Sequence, residues 1–186
     1  MSAIENVPRD RFCLEEDVED AWEDEVLPLP GRATLSQPFV VASMLEALEL
    51  GGEERVLDVG SGSGYTTALL CELCEEVCAI KLEPDLVDSS CEKLASLGYD
   101  NFDVRAGNGW SGWPEDKMFD AIMISAAAKE VPGPLLDLLS PGGRLVAPIG
   151  PRSSQMLRLY RRSLDGSKFE ETDLYGVSFV PLRRRR

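Results

Sequence analysis

The residues best placed to do chemistry lie in one run, Arg55-Val56-Leu57-Asp58-Val59-Gly60-Ser61-Gly62-Ser63-Gly64-Tyr65-Thr66-Thr67. An acid, Asp58, precedes glycines at alternate positions, Gly60, Gly62 and Gly64. Glycine takes backbone angles closed to other residues and lets a ligand approach with no Cβ in the way. A helix starting after such a turn points unpaired N–H groups at whatever sits there. Glycine spacing alone fits a tight turn in any α/β protein. Asp58 shifts the balance: a carboxylate near the carboxyl end of a central strand packs badly but suits a cation or an amine. A P-loop is disfavoured because no Gly-Lys-Ser/Thr follows, and Gly-x-Gly-x-Gly fits the dinucleotide fingerprint only loosely.

Strands and helices must hold this run in place. Val56-Leu57 and Val59 read as a strand over 55–59, buried on both faces, followed by a helix over 64–74. A strand at 76–80 comes next, then a helix at 84–97 with Leu86, Val87, Cys91 and Leu94 on one side and Gly98 at its end. Further strands are expected at 102–105, 119–124 and 144–149, with a short helix at 132–139. Residues 155–162 and 172–181 alternate like antiparallel strands around an Asp165-Gly166 turn. Upstream, Thr34-Leu35-Ser36-Gln37-Pro38 leads into a helix whose apolar face is Phe39, Val41, Met44, Leu45 and Leu48. Residues 1–33 read as an N-terminal loop segment, anchored by Phe12 and Trp22, on a single domain spanning 1–186. The fold class is α/β, with a mostly parallel sheet flanked by helices and closed by an antiparallel C-terminal hairpin.

Composition excludes several chemistries. The formal net charge is −14, which disfavours nucleic acid and anionic membranes as partners. Residues 1–25 carry ten of the acidic side chains, and Arg183-Arg184-Arg185-Arg186 ends the chain; both read as solvated ends. There is no histidine, so histidine bases, histidine-dependent serine triads and histidine metal sites are ruled out. Cys71, Cys74 and Cys78 fall at i, i+3 and i+7, one face of the helix after the turn. Without a clear fourth ligand they read as buried packing, and no metal site is expected. No apolar run is long enough for a membrane span and no secretory signal is visible. A cytoplasmic monomer is expected.

The acid followed by Gly-x-Gly-x-Gly resembles the first motif of S-adenosylmethionine-dependent methyltransferases, and further segments narrow the likeness. Val7-Pro8-Arg9-Asp10-Arg11-Phe12, Thr34-Leu35-Ser36-Gln37-Pro38, Gly107-Asn108-Gly109-Trp110-Ser111-Gly112-Trp113, Phe119-Asp120-Ala121-Ile122, Pro141-Gly142-Gly143-Arg144-Leu145-Val146-Ala147-Pro148-Ile149-Gly150 and Val177-Ser178-Phe179-Val180-Pro181-Leu182 resemble, in order, segments of the protein-L-isoaspartate O-methyltransferase family. The resemblance implies a Rossmann-like class I methyltransferase fold, with S-adenosylmethionine as cofactor. It implies methyl transfer to the α-carboxylate of isoaspartyl residues in damaged proteins or peptides. It puts Ser36 at the reacting carboxylate with Thr34 beside it, although Ser36 also reads as a helix N-cap. Asp58, Gly60, Ser61 and Gly62 would bind the donor's methionine end, with Asn108 and Gly109 nearby. Val180, Pro181 and Leu182 would line the peptide site.

The sequence departs from the family on the donor side. Where the family has an acid at the end of the second strand, accepting from ribose hydroxyls, this chain has Lys81, which has only donors. Glu83 lies two residues on and could reach in instead. Asn108 replaces an aspartate, and Lys129 replaces a proline after Ala126-Ala127-Ala128 and reads as an exposed loop side chain. Two readings follow: an active isoaspartyl methyltransferase with Glu83 compensating, or a relative that binds protein or isoaspartyl peptide without catalysis. A variant of the second has Lys81 taking a phosphate-bearing nucleotide.

Overall fold

The computed structural model describes residues 2–184, so Arg185 and Arg186 of the arginine tail lie outside the described residues. The main sheet contains β3 (Arg55–Val59), β4 (Glu76–Lys81), β5 (Phe102–Ala106), β6 (Phe119–Ile124), β7 (Leu139–Ile149), β8 (Gln155–Arg162) and β9 (Phe169–Val177). Its order is β5-β4-β3-β6-β7-β8-β9. The strands from β5 to β7 run parallel, and β8 and β9 return antiparallel. The chain moves outward from β3 to β5 and then crosses back to place β6 on the other side of β3. The carboxyl ends of β3 and β6 therefore flank a topological switch point, where open α/β sheets bind ligands.

Alternate residues of the central strands feed two cores. Val56, Val77, Ala79, Ala121 and Met123 pack with α2 (Pro38–Leu48), α3 (Tyr65–Cys71) and α4 (Asp85–Ser96). Leu57, Val59, Cys78, Ile80, Ile122 and Ile124 pack on the opposite face with Trp113 and with Leu135 of α5 (Gly133–Asp137). Covering both faces explains why these strands read as apolar runs rather than alternating ones. Among the described residues no helix is long and apolar enough to cross a membrane.

Several expectations need correction. Cys78 is on β4 in the second core, across the sheet from Cys71 and Cys74, because α3 stops at Cys71 and the helical spacing stops with it. Burial pushes the Cys74 and Cys78 thiols up to about 12 and about 11, so they stay protonated. Among the described residues no cluster of Cys, Asp and Glu could hold a metal. β7 pairs with β6 at Leu139 and again from Arg144, and Pro141-Gly142-Gly143 lie in the register shift between those pairs. The last strand ends at Val177, so Pro181, which has no N–H for a ladder, lies in an arm that turns back over the sheet. As the outermost strand, β9 exposes Glu170, Glu171 and Asp173; Arg158 of β8 pairs with Glu171 at 2.9 Å and with Asp173 at 2.5 Å.

The N-terminal segment is more ordered than a loop. It has α1 (Ser2–Asn6), 3-10 turns at Arg9–Phe12 and Glu15–Asp17, and a hairpin of β1 (Leu27–Leu29) and β2 (Ala33–Leu35). Phe12 is fully buried as expected, but Trp22 is 53% exposed and anchors nothing. The anchor is Arg9, which is completely buried. Its Nε donates to the Ala21 carbonyl at 2.6 Å, and its guanidinium lies 5.1 Å from the Tyr65 ring centroid. Fixing that carbonyl draws the small Ala21 inward and turns Trp22 out. Replacing Arg9 by Met keeps most of the volume but leaves the carbonyl without its donor, which is expected to cost about 2–4 kcal/mol. A lower urea midpoint, with early tryptic cleavage at Arg11, would show it; an unchanged midpoint would mean that apolar contacts alone hold the segment.

Candidate active site

The glycine turn leaves the sheet at Val59 with Gly60, Gly62 and Gly64 at φ of 84°, 51° and 99°. Such angles strain any side-chain-bearing residue. The turn is tied to its neighbour where Gly60 N donates to the Ile80 carbonyl at 3.0 Å. Asp58 does not face the cleft as expected. It is fully buried beneath the turn, and its Oδ2 accepts from the Thr66 and Thr67 hydroxyls, each at 2.8 Å. It fastens the first turn of α3 to β3. Burial pushes its carboxyl up to about 6, against the pull of the two hydroxyls and nearby Lys81. Thr66 and Thr67, in the first turn of the helix pattern, were the sequence signal for this role.

Lys81 has also turned inward. At the end of β4 it is 2% exposed, and its Nζ donates to the Gly62 carbonyl at 2.9 Å. An acid could not make this contact, because the Gly62 carbonyl needs a donor. Burial pulls the ammonium down to about 8, partly offset by Asp58. Glu83 is at the rim, where its Oε1 accepts from Arg183 Nη2 at 2.6 Å.

The turn borders a narrow cleft also lined by Lys81, Glu83, Gly109 and Val180–Leu182 of the arm. Val180, Pro181 and Leu182, expected to line the peptide site, border this cleft and not the larger groove beside it. The arm is held by Ala127 N donating to the Val180 carbonyl at 2.8 Å, by Leu182 N donating to the Ala127 carbonyl at 2.7 Å and by Trp110 Nε1 donating to the Leu182 carbonyl at 3.0 Å. Arg184 stacks 4.2 Å from the Trp110 ring centroid. Gly109 must be glycine, since a Cβ there would lie 2.7 Å from Val59 Cγ1. Asn108 lies outside the cleft; its Oδ1 accepts from Trp110 N at 3.1 Å and caps a 3-10 turn. Lys129 is exposed, as expected.

A second cavity, about 720 Å³, opens on the other side of β2. Thr34 borders both cavities and the small pocket between them, and Ser36 borders that pocket and the larger groove. Ser36 does not cap α2. The N-cap is Gln37, and Phe39 N donates at 2.9 Å to Asp24, which reaches in from the N-terminal segment. Ser61, Ser63 and Ser125 hydroxyls are buried around the turn with no protein partner among the described residues. These orphan groups, the bare turn and the Glu83 carboxylate suit a polar ligand with both donors and acceptors. The cleft itself is only about 90 Å³, whereas small-molecule sites span roughly 300–1,000 Å³. A ligand of nucleoside size therefore needs the arm or the β1–β2 hairpin to shift.

Because the fold favours neutral Lys81, the wild-type protein gains stability as pH rises from about 8 towards 10.5, the range over which the buried lysine loses its proton before the unfolded one does. Lys81→Met carries no such term. Its melting temperature relative to wild type is expected to be highest below pH 8 and to fall above it, in thermal scans from pH 6 to 10.5. A difference independent of pH would place the ammonium in water.

A family model for protein-L-isoaspartate(D-aspartate) O-methyltransferase matches residues 1–186. A protein-L-isoaspartate O-methyltransferase of Myxococcus xanthus (strain DK1622) is 45% identical over 184 residues, 98% of this chain and 87% of that protein. Protein-L-isoaspartate O-methyltransferase 2 of Anaeromyxobacter sp. (strain Fw109-5) is 47% identical over 185 residues, 99% of this chain and 75% of that protein. Among solved structures, a Plasmodium falciparum protein described as a protein-L-isoaspartate O-methyltransferase, in complex with S-adenosyl-L-homocysteine, superposes with a TM-score of 0.85 at 28% identity, covering 99% of this chain and 89% of that one. The chain belongs to the protein-L-isoaspartate(D-aspartate) O-methyltransferase family.

Proposed function

We infer that this protein is an S-adenosylmethionine-dependent protein-L-isoaspartate O-methyltransferase that esterifies the α-carboxylate of isoaspartyl residues in damaged proteins and peptides. One observation carries the reading: Thr34 and Ser36 stand between a cleft built on the glycine turn and a groove large enough for a peptide. The cleft has the groups the donor needs. Gly60, Ser61 and Gly62 would hold its methionine end, with Asp58 securing the turn from below. Glu83 would accept from the ribose hydroxyls after parting from Arg183, and Gly109 leaves room for the base. Asn108 supports that segment through its cap. Bound there, the donor supplies an electrophilic methyl group on a sulfonium sulfur.

The rest of the chemistry is alignment. The substrate carboxylate is already ionised at neutral pH, so the absence of histidine costs nothing. The Thr34 and Ser36 hydroxyls donate to the carboxylate and hold one oxygen towards the cleft, where reach and angle set the rate. Pro30 and Val180, Pro181 and Leu182 keep water out. The phosphate-bearing nucleotide reading is disfavoured because Lys81 is nearly fully buried and spends a hydrogen bond on the turn. In this reading the whole of 1–186 acts as one methyltransferase unit, a monomer in the cytoplasm, where five free cysteines stay reduced.

Ser36→Ala is expected to lower kcat on a synthetic isoaspartyl peptide about ten- to a hundred-fold, the loss of one hydrogen bond to a charged group. The donor's Kd by calorimetry should hardly move. An unchanged kcat, or equal turnover of the ordinary aspartyl peptide, would overturn the assignment. Glu83→Gln should weaken donor binding, while Arg183→Gln should tighten it by up to about five-fold, the worth of an exposed ion pair. If both variants bind as wild type does, Glu83 does not contact the ribose.

A further inference from the structure

Arg152 sits in the 151–154 turn between β7 and β8 and borders the larger groove, along with Ser36, Phe39, Met156 and Tyr175. Among the described residues lining that groove, it is the sole formally charged one. Arg55, Arg105, Arg144, Arg158, Arg161 and Arg183 each pair with a carboxylate. Arg152 pairs with none of the described ones. Among the described residues Arg9, Arg11, Arg162 and Arg184 also lack a carboxylate partner, but none of them borders this groove. Asp24, beside the groove's helical end, is already occupied by Gln37 Nε2 at 2.9 Å and Phe39 N at 2.9 Å. With a net charge of −14, the protein as a whole repels acidic peptides, whereas Arg152 puts a positive charge on this groove.

Resting on the methyltransferase reading, we propose that Arg152 sets substrate preference by pairing with a second carboxylate of the peptide, close to the isoaspartyl residue. The reacting carboxylate is a poor partner for it. A guanidinium binds both oxygens of a carboxylate and ties up the lone pairs that must reach the methyl group. The neutral Thr34 and Ser36 hydroxyls border the donor side and orient without that penalty. The remaining wall mixes neutral polar residues such as Ser153, Ser154 and Ser178 with an apolar patch, where the Phe39 and Tyr175 rings lie 5.8 Å apart and Phe39 is 57% exposed. The preferred substrate is therefore an extended segment with the isoaspartyl residue at Ser36, an apolar side chain on the ring pair and an anion at Arg152.

The test uses isoaspartyl peptides that differ only in Glu, Gln or Lys near the isoaspartyl residue on either side, each made as free acid and as amide. Peptide Kd is measured by calorimetry without donor, and KM and kcat with it. Wild-type protein should bind the Glu peptides about two- to five-fold more tightly than the Gln peptides, the range of an exposed ion pair, with kcat equal across the set. The preference should shrink as salt rises. Arg152→Gln should bring the Glu-to-Gln ratio to one, and Arg152→Glu should reverse it in favour of Lys. A preference that follows the free acid rather than Glu supports a chain-end carboxylate as the second anion. Equal Kd for all peptides in wild-type protein overturns the proposal. So does an Arg152→Gln variant that weakens every peptide alike and loses kcat, because the guanidinium then serves the reacting carboxylate. Should no peptide be methylated, the methyltransferase reading fails, while the Kd ratios still decide the role of Arg152.

Discussion

A loop at positive φ has no ladder to hold it, so this site depends on what clamps the glycine turn from below. Two buried ionisable groups do so. Asp58 fixes the start of α3 through the Thr66 and Thr67 hydroxyls, and Lys81 fixes the Gly62 carbonyl. Each is costly to bury, and each is pulled towards its neutral form. Their mutual attraction and their hydrogen bonds offset that cost in part. The result is a turn whose shape is set before any ligand arrives, on a strand that is itself wedged between two cores.

The sheet was legible because its strands are apolar on both faces and punctuated by glycine and proline, so β3, β6 and β8 begin and end where the residues suggest. The glycine turn was legible because its residue types are demanding, with Gly60, Gly62 and Gly64 all at positive φ. What the sequence concealed were contacts between distant segments. Nothing near Lys81 says that it turns inward to a carbonyl nineteen residues before it. Nothing near Ser36 says that Asp24, from an acidic stretch that reads as solvated, takes over the first turn of α2 and relieves Ser36 of that duty. Arg9 and Trp22 misled in the same way, since local composition ranks the tryptophan as the anchor and only the fold brings a carbonyl to the guanidinium.

The arm after β9 reads in the sequence as the end of an antiparallel strand, whereas in the structure it leaves the ladder after Val177 and borders the narrow cleft. Its place follows from the end of the ladder at Val177 and from the Ala126–Ala128 run, whose small side chains let a backbone lie close enough for the paired hydrogen bonds with Ala127. One segment thereby closes the narrow cleft on one side while Ser178 and Phe179, a few residues earlier, face the groove. The two cavities share a wall at Thr34, so under the proposed assignment a methyl donor and its acceptor would meet there without a moving domain.

The outermost strand carries a further consequence. A protein that handles aged, partly unraveled chains meets many loose backbones with free amides and carbonyls. The bare margin of β9 would be a natural place for such chains to zip on, out of register and far from Ser36. Glu170, Glu171 and Asp173 stand along that margin, and the guanidinium of Arg158 answers only part of their charge. The repulsion they leave would discourage stray strands from adhering along that edge.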